Sequence, residues 1–122
     1  MDEPFPGDIG AQADAILTLE NAPLPLVVAS PDGTIRMANR ALRELLGYGP
    51  VELVGQEIWS LSADLGASRE RWRRLIETGG ATEHPAELVR RDGSGVKVSA
   101  AAVVVPDEDG AARLIISRAI AR

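Results

Sequence analysis

Ser30–Leu61 reads SPDGTIRMANRALRELLGYGPVELVGQEIWSL. Pro31-Asp32-Gly33 is a tight turn of the Pro-Asp-Gly kind. The β-prone run Thr34-Ile35-Arg36-Met37 follows it. Asn39 then opens an amphipathic helix in which Leu42, Leu45 and Leu46 stand at i, i+3 and i+4. Gly47 ends that helix, since glycine takes the left-handed conformation without a Cβ penalty. Val51-Glu52-Leu53-Val54 is expected to form a second helical turn stopping at Gly55, and Ile58-Trp59-Ser60-Leu61 a further short helical piece. Working backwards, Leu24–Ala29 reads as a buried strand that pairs with Thr34–Met37 across the DG turn.

Downstream, Ser68 is expected to cap a helix over Arg69–Glu77, with Trp72, Leu75 and Ile76 as its apolar face and Gly79-Gly80 as its stop. Three strands follow, Glu83–Arg91, Val96–Val105 and Ala111–Ala121. They are separated by two more turns, Arg91-Asp92-Gly93-Ser94 and Pro106-Asp107-Glu108-Asp109-Gly110. The order ββ, helices, βββ gives an α+β fold: a five-stranded antiparallel sheet with helices on one face. An N-terminal helix is expected on the other face. Three DG turns around a helical middle, with Asn39, Ala41, Leu46, Gly47, Tyr48, Glu52, Leu53 and Gly55 in order, resemble a PAS domain, the sensory α/β module of signalling proteins. The resemblance runs from about Leu24 to Ile120.

Composition narrows the function classes. The chain has 122 residues, enough for one domain with its own core. Residues 1–22 are read as an N-terminal tail and flanking helix, and 23–122 as the PAS domain. Met1–Gly7 is rich in proline and acid, which predicts disorder. There is no cysteine, hence no disulfide framework and no thiolate nucleophile or metal ligand. The net charge of −5 argues against a nucleic-acid surface, which needs a basic stripe. The basic cluster Arg69–Arg74 reads as a solvated helix face. No apolar run approaches the roughly 18 residues of a membrane-spanning helix, and the start Met1-Asp2-Glu3 is unlike a signal peptide. These features predict a cytoplasmic protein without nucleic-acid or membrane partners. Arginine far outnumbers lysine, with Lys97 alone, which associates the chain with a GC-rich bacterial genome.

Strand alternation assigns the faces. Val96, Val98, Ala100, Ala102 and Val104 share one side, expected against the helices; Val103 and Val105 share the other. In the last strand Ile115 opposes Leu114 and Ile116 in parity, and Ile115 is assigned outward with Val103 and Val105. This partly apolar outer face needs a cover. The N-terminal helix, with Ile9, Ala13, Ile16 and Leu17 on one side, is the first candidate, and a second copy of the domain the next. The pocket between sheet and helices is expected to be lined by Val27, Leu46, Leu53, Ile58, Trp59, Leu61, Leu75, Ile76, Leu88, Val98 and Ala100, with His84 at its mouth. Ala86, Ala100 and Ala102 leave room there for an apolar ligand such as a fatty acyl chain, or are the floor of a filled core. A carboxylate head would find His84, Arg74 or Arg36.

No catalytic constellation or metal-ligand spacing is present. The resemblance adds tests of cofactors. Flavin photosensing relatives use an adduct-forming cysteine, and without one that photochemistry is excluded; the thiol-linked chromophore of photoactive yellow proteins falls for the same reason. Haem relatives take an axial histidine from the long helix, which here has none, so haem through His84 is disfavoured. Citrate-type binding would need several converging basic residues, and the expected pocket positions do not supply them. The resemblance implies a sensor, expected at the N-terminus of a signalling protein, that binds a small apolar ligand, dimerises, or both. Its effector would be a kinase, a cyclic-dinucleotide enzyme or a PP2C-type phosphatase of sigma-factor (transcription) control, following the chain or as a partner. The alternative is a ligand-free dimerisation or docking module.

Overall fold

The computed structural model describes residues 17–122. The expectations for Met1–Gly7 and for Ile9, Ala13 and Ile16 lie outside them. Helical residues 17–21 (α1) lead into β1 (Leu26–Ala29), β2 (Ile35–Ala38) and α2 (Arg40–Leu46). A 3₁₀ turn at Ile58–Leu61 and α3 (Leu65–Thr78) follow, then β3 (Ala81–Val89), β4 (Gly95–Pro106) and β5 (Ala112–Ala121). The sheet order is β2-β1-β5-β4-β3, antiparallel throughout. The expected α+β architecture is therefore present.

The three Asp-Gly turns share one device. Asp32 Oδ1 accepts from Thr34 N at 3.0 Å, Asp92 Oδ1 from Ser94 N at 2.9 Å, and Asp107 Oδ1 from Asp109 N at 2.9 Å. Each side chain thus mimics a backbone turn. The Ser30 hydroxyl also donates to Asp32, and with the Thr34 amide it holds this exposed carboxyl at a pKa of about 2.

Asn39 joins several elements. Its side chain is fully buried, and Oδ1 accepts from Leu42 N (3.0 Å), capping α2, and from Leu26 N (2.8 Å) at the start of β1. Its Nδ2 donates to Leu19 O (2.8 Å) and Leu24 O (2.9 Å). Two acceptor bonds and two donor bonds exhaust an amide's capacity, so a buried polar group costs nothing here in unmet bonds. Arg43 completes the junction, pairing with both oxygens of Glu20 at 3.0 and 2.8 Å and donating to Ala38 O. Gly47 then closes α2 at φ +82°, its N–H reaching Arg43 O at 2.7 Å.

Around this junction Val27, Ile35, Ala38, Leu42, Leu46, Leu53 and Leu61 form the main core. Three local expectations are corrected. Val51–Val54 forms turns, not helix; Leu53 is drawn into the core while Val51 and Val54 stay exposed. The long helix starts at Leu65, capped by Asp64, whose Oδ1 accepts from Ala67 N at 3.0 Å, so Ser68 lies within it. Ile115 is not on the outer face: register pairs it with Ala29 and Val104, and it is 0% exposed beneath the helices. Leu114 and Ile116, paired with Val105 and Val103, take the outer side. Leu17, expected to help cover that face, is 58% exposed.

Candidate ligand cavity

Between α3 and the helix-facing side of β3, β4 and β5 lies a cavity of about 110 Å³. Its sheet wall is built from small residues, because register brings Ala86, Ala100, Ala102, Ser117 and Ala119 to the same side. Leu42, Ile58, Leu61, Leu75 and Leu88 supply its apolar walls. From α3, Ser68, Arg71, Trp72 and Leu75 face it. Their spacing of i, i+3, i+4 and i+7 is one stripe of a helix.

The segment after α2 is pinned at both ends of the sheet. Ile58 N donates to Gly33 O (2.8 Å) beside β2, and Ala63 N to Glu87 O (2.9 Å) on β3. Trp59 packs its indole over Gly33, where an added Cβ would lie 2.2 Å from the ring; Gly33 itself sits at φ +90°. Trp72 donates from Nε1 to Pro31 O at 2.9 Å, fastening α3 to the same turn.

Of the expected pocket residues, Val27, Ile58, Leu61, Leu75, His84, Leu88 and Ala100 line the cavity. Leu46, Leu53 and Val98 do not; they are packed core, at most 1% exposed. Trp59 and Ile76 lie on a shallow outer groove with Pro31, Arg69 and Arg73, on the far side of α3. Arg69 stacks on Trp59 there, 5.5 Å from the ring centroid. Neither Arg74 nor Arg36 lines the cavity; the cation on α3 that does is Arg71. Apolar periodicity over Arg69–Glu77 does not mark Arg71 as a cavity residue, and it makes Ser68 a cap instead of a member of the stripe, because the helix in fact starts at Leu65. The stripe from Ser68 to Leu75 was available once the start moved to Leu65.

Among the described residues, three polar side-chain atoms in this lining are buried without a hydrogen bond: Arg71 Nε, His84 Nδ1 and Arg118 Nη1, the last on a guanidinium whose Nη2 pairs with Glu83 at 2.7 Å. Burial, and secondarily the Arg71 charge, lower the His84 pKa and keep the imidazole neutral. No group of three or more potential metal-ligating His, Asp or Glu side chains converges among the described residues, and none of their helices is long and apolar enough to cross a membrane.

The cavity is well below the ~300–1,000 Å³ of sites that enclose drug-sized ligands. Lack of cysteine bars the thiol adduct alone; it does not bear on flavin binding itself.

The PAS domain family model matches residues 23–121. No protein of curated function matches the chain. Among solved structures, the PAS domain of an HTR-like protein from Haloarcula marismortui is similar at TM-score 0.77 and 21% identity, over 93% of each chain. A domain of a sensory box sensor histidine kinase/response regulator from Geobacter sulfurreducens gives 0.73 and 22%, over 92% of this chain and 96% of that one. The light-oxygen-voltage domain of the blue-light activated histidine kinase from Erythrobacter litoralis gives 0.73 and 24%, over 83% and 97%. At these identities the structures speak for the fold, while the family match spans nearly the whole described sheet and its helices. The chain belongs to the PAS domain family.

Proposed function

We propose that this PAS domain is a sensor whose cavity takes a small molecule and whose occupancy is relayed to a linked signalling effector. The observation that carries the reading is the space itself. A wall of alanines faces a helix tethered above it, so about 110 Å³ is left open where a filled core would place side chains. An engineered apolar cavity of ~150 Å³ holds benzene, so this one suits a compact ligand. Domains of sensor histidine kinases are among the similar structures, which supports a kinase-type effector over the cyclic-dinucleotide enzyme or phosphatase. The reading assigns no catalytic step to the domain and places it in the cytoplasm.

Native mass spectrometry of freshly purified protein, with its denatured mass alongside, tests this reading. A released small molecule supports it. A bare mass together with a loss of stability on filling the cavity would remove it.

A second reading, a docking or homodimerisation platform, is favoured by the outer sheet face. Val103 and Ile120 are 42% and 43% exposed there, beside Val105, Leu114 and Ile116. Sedimentation at high concentration distinguishes the two: a dimer disrupted by Val103→Lys supports the platform, and a strict monomer removes it.

A further inference from the structure

α3 carries Arg69, Arg71, Arg73 and Arg74. Arg69 stacks on Trp59. Arg73 pairs with Glu70 and Glu77, and Arg74 with Glu70. Arg71 is different: it turns to the cavity, and its Nε is buried with no acceptor. Across the cavity, on β3, His84 presents a buried Nδ1 with no partner. Burying a polar group without a hydrogen bond costs free energy, more so for a charged one. The chain has 18 acidic residues against 13 basic ones, yet among the described residues none that lines the cavity is Asp or Glu. Arg71 and His84 thus face a space to which no carboxylate of the described residues contributes; the other lining cation, Arg118, is paired with Glu83, and the remaining walls are small or apolar apart from a few hydroxyls.

We infer that the cavity binds a compact organic carboxylate, its head received by Arg71 and His84 and its apolar body lying against Ala100, Leu75 and Leu88. The inference rests on the cavity reading above and adds the class of ligand. A guanidinium with free N–H groups matches a carboxylate, and such charge-assisted bonds are the strong ones. A neutral imidazole can donate a further N–H to the same head. The volume limits the body to about one ring or a short branched chain. A phosphate ester would add charge that one guanidinium and one neutral imidazole balance less well.

Benzoate and its neutral isostere benzamide are suitable probes. Their dissociation constants for the full chain can be measured by protein-observed NMR titration, which also reports folding. Benzoate is expected to bind at least ten-fold more tightly than benzamide. Arg71→Gln should weaken benzoate at least ten-fold while leaving benzamide unchanged, and Arg71→Lys should restore part of the loss. Equal binding of the two probes, or indifference of benzoate to Arg71→Gln in a folded variant, overturns the carboxylate assignment and leaves the sensory cavity standing. Failure of both probes at millimolar concentration also overturns it; if Ala100→Leu then lowers stability, the cavity reading falls as well.

Discussion

Ala100→Leu converts the cavity into a sign test. Ala100 lies mid-sheet on β4, between His84 of β3 and Ala119 of β5, and faces α3. Leucine adds three carbons. Burying them gains about 0.8 kcal/mol each, about 2.4 kcal/mol together. Fixing the new side chain costs about 0.5–1 kcal/mol of rotamer entropy. The net expectation, if the 110 Å³ is usable space, is about 1.5–2 kcal/mol of added stability. In a filled core the same change overpacks and costs about 1–3 kcal/mol. For a domain of about 100 residues each kcal/mol moves Tm by about 4–8 °C, so the two cases part by about ten degrees or more. The assay is urea denaturation at constant m-value with a thermal melt alongside. A lower Cm with unchanged m would refute the open-cavity reasoning, because it would mean that the walls cannot admit even an aliphatic side chain. A higher Cm together with loss of benzoate binding would confirm that leucine and ligand compete for one space.

Further perturbations test other links in the argument. Asn39→Ala removes the α2 cap, about 1 kcal/mol, and strands the Leu26 amide and two carbonyls, so about 3–4 kcal/mol in all is expected from urea melts. Asn39→Asp keeps both acceptor bonds but loses both donors, and should fall between wild type and Asn39→Ala; equal stability of all three would remove Asn39 as the junction. Gly33→Ala meets a positive φ costing about 1–2 kcal/mol and the Trp59 ring, so a lower Cm and a shifted tryptophan emission are expected. The His84 pKa is lowered by burial and then by Arg71, the charged group facing it from α3; the facing residues of β4 and β5, Ala100, Ala102 and Ser117, bring no charge. Its neutral form is therefore favoured in the fold, and the stability it contributes is present above the unfolded value near 6.5 and lost as pH falls through the lower folded value. His84→Gln should flatten the pH dependence of Cm in that window, and an unchanged slope would count against it.

The sequence announced the fold through local chemistry, where one residue type does one job. Three Asp-Gly turns, the Asn39 cap and the Gly47 stop each have a physical reason to be where they are, and the structure uses each of them. The site was only half legible, because faces depend on register and helix start, and neither is a local property. In β5, Leu114, Ile115 and Ile116 are all apolar, so alternation could not say which points inward; pairing of Ile115 with Ala29 decides it. In α3 the first residue, Leu65, is 53% exposed, so no apolar signal marks the true start, and Ser68 competes with Asp64 as a cap. Arg71 is hidden by the same ambiguity. A charged residue on a cavity-facing stripe looks like a member of a solvated cluster until the stripe is drawn through Ser68 and Leu75.

The cavity survives for a reason that lies in how α3 is held. Helices over a sheet normally settle until side chains interlock, and a wall of alanines should let α3 come closer. Its ends prevent this. Ahead of α3, Ala63 N is bonded to Glu87 O on β3 and Asp64 fixes the first turn. Behind it, Gly79-Gly80 feed directly into β3, and Val104 N is bonded to Gly80 O. At mid-length Trp72 is bonded to Pro31 O, and the Trp59 ring holds the adjoining segment off by resting on Gly33. The height of α3 is thus set by four attachments at the sheet's margins, whereas the filling beneath it is set by residues at the sheet's centre. Small residues at the centre then leave a void instead of a closer contact. Among the described residues Arg71 and His84 have no acidic partner: the two carboxylates of α3, Glu70 and Glu77, are engaged with Arg73 and Arg74 on its solvent side. A space that cannot collapse, and an Arg71 Nε and a His84 Nδ1 that the described residues leave unsatisfied, have one structural origin.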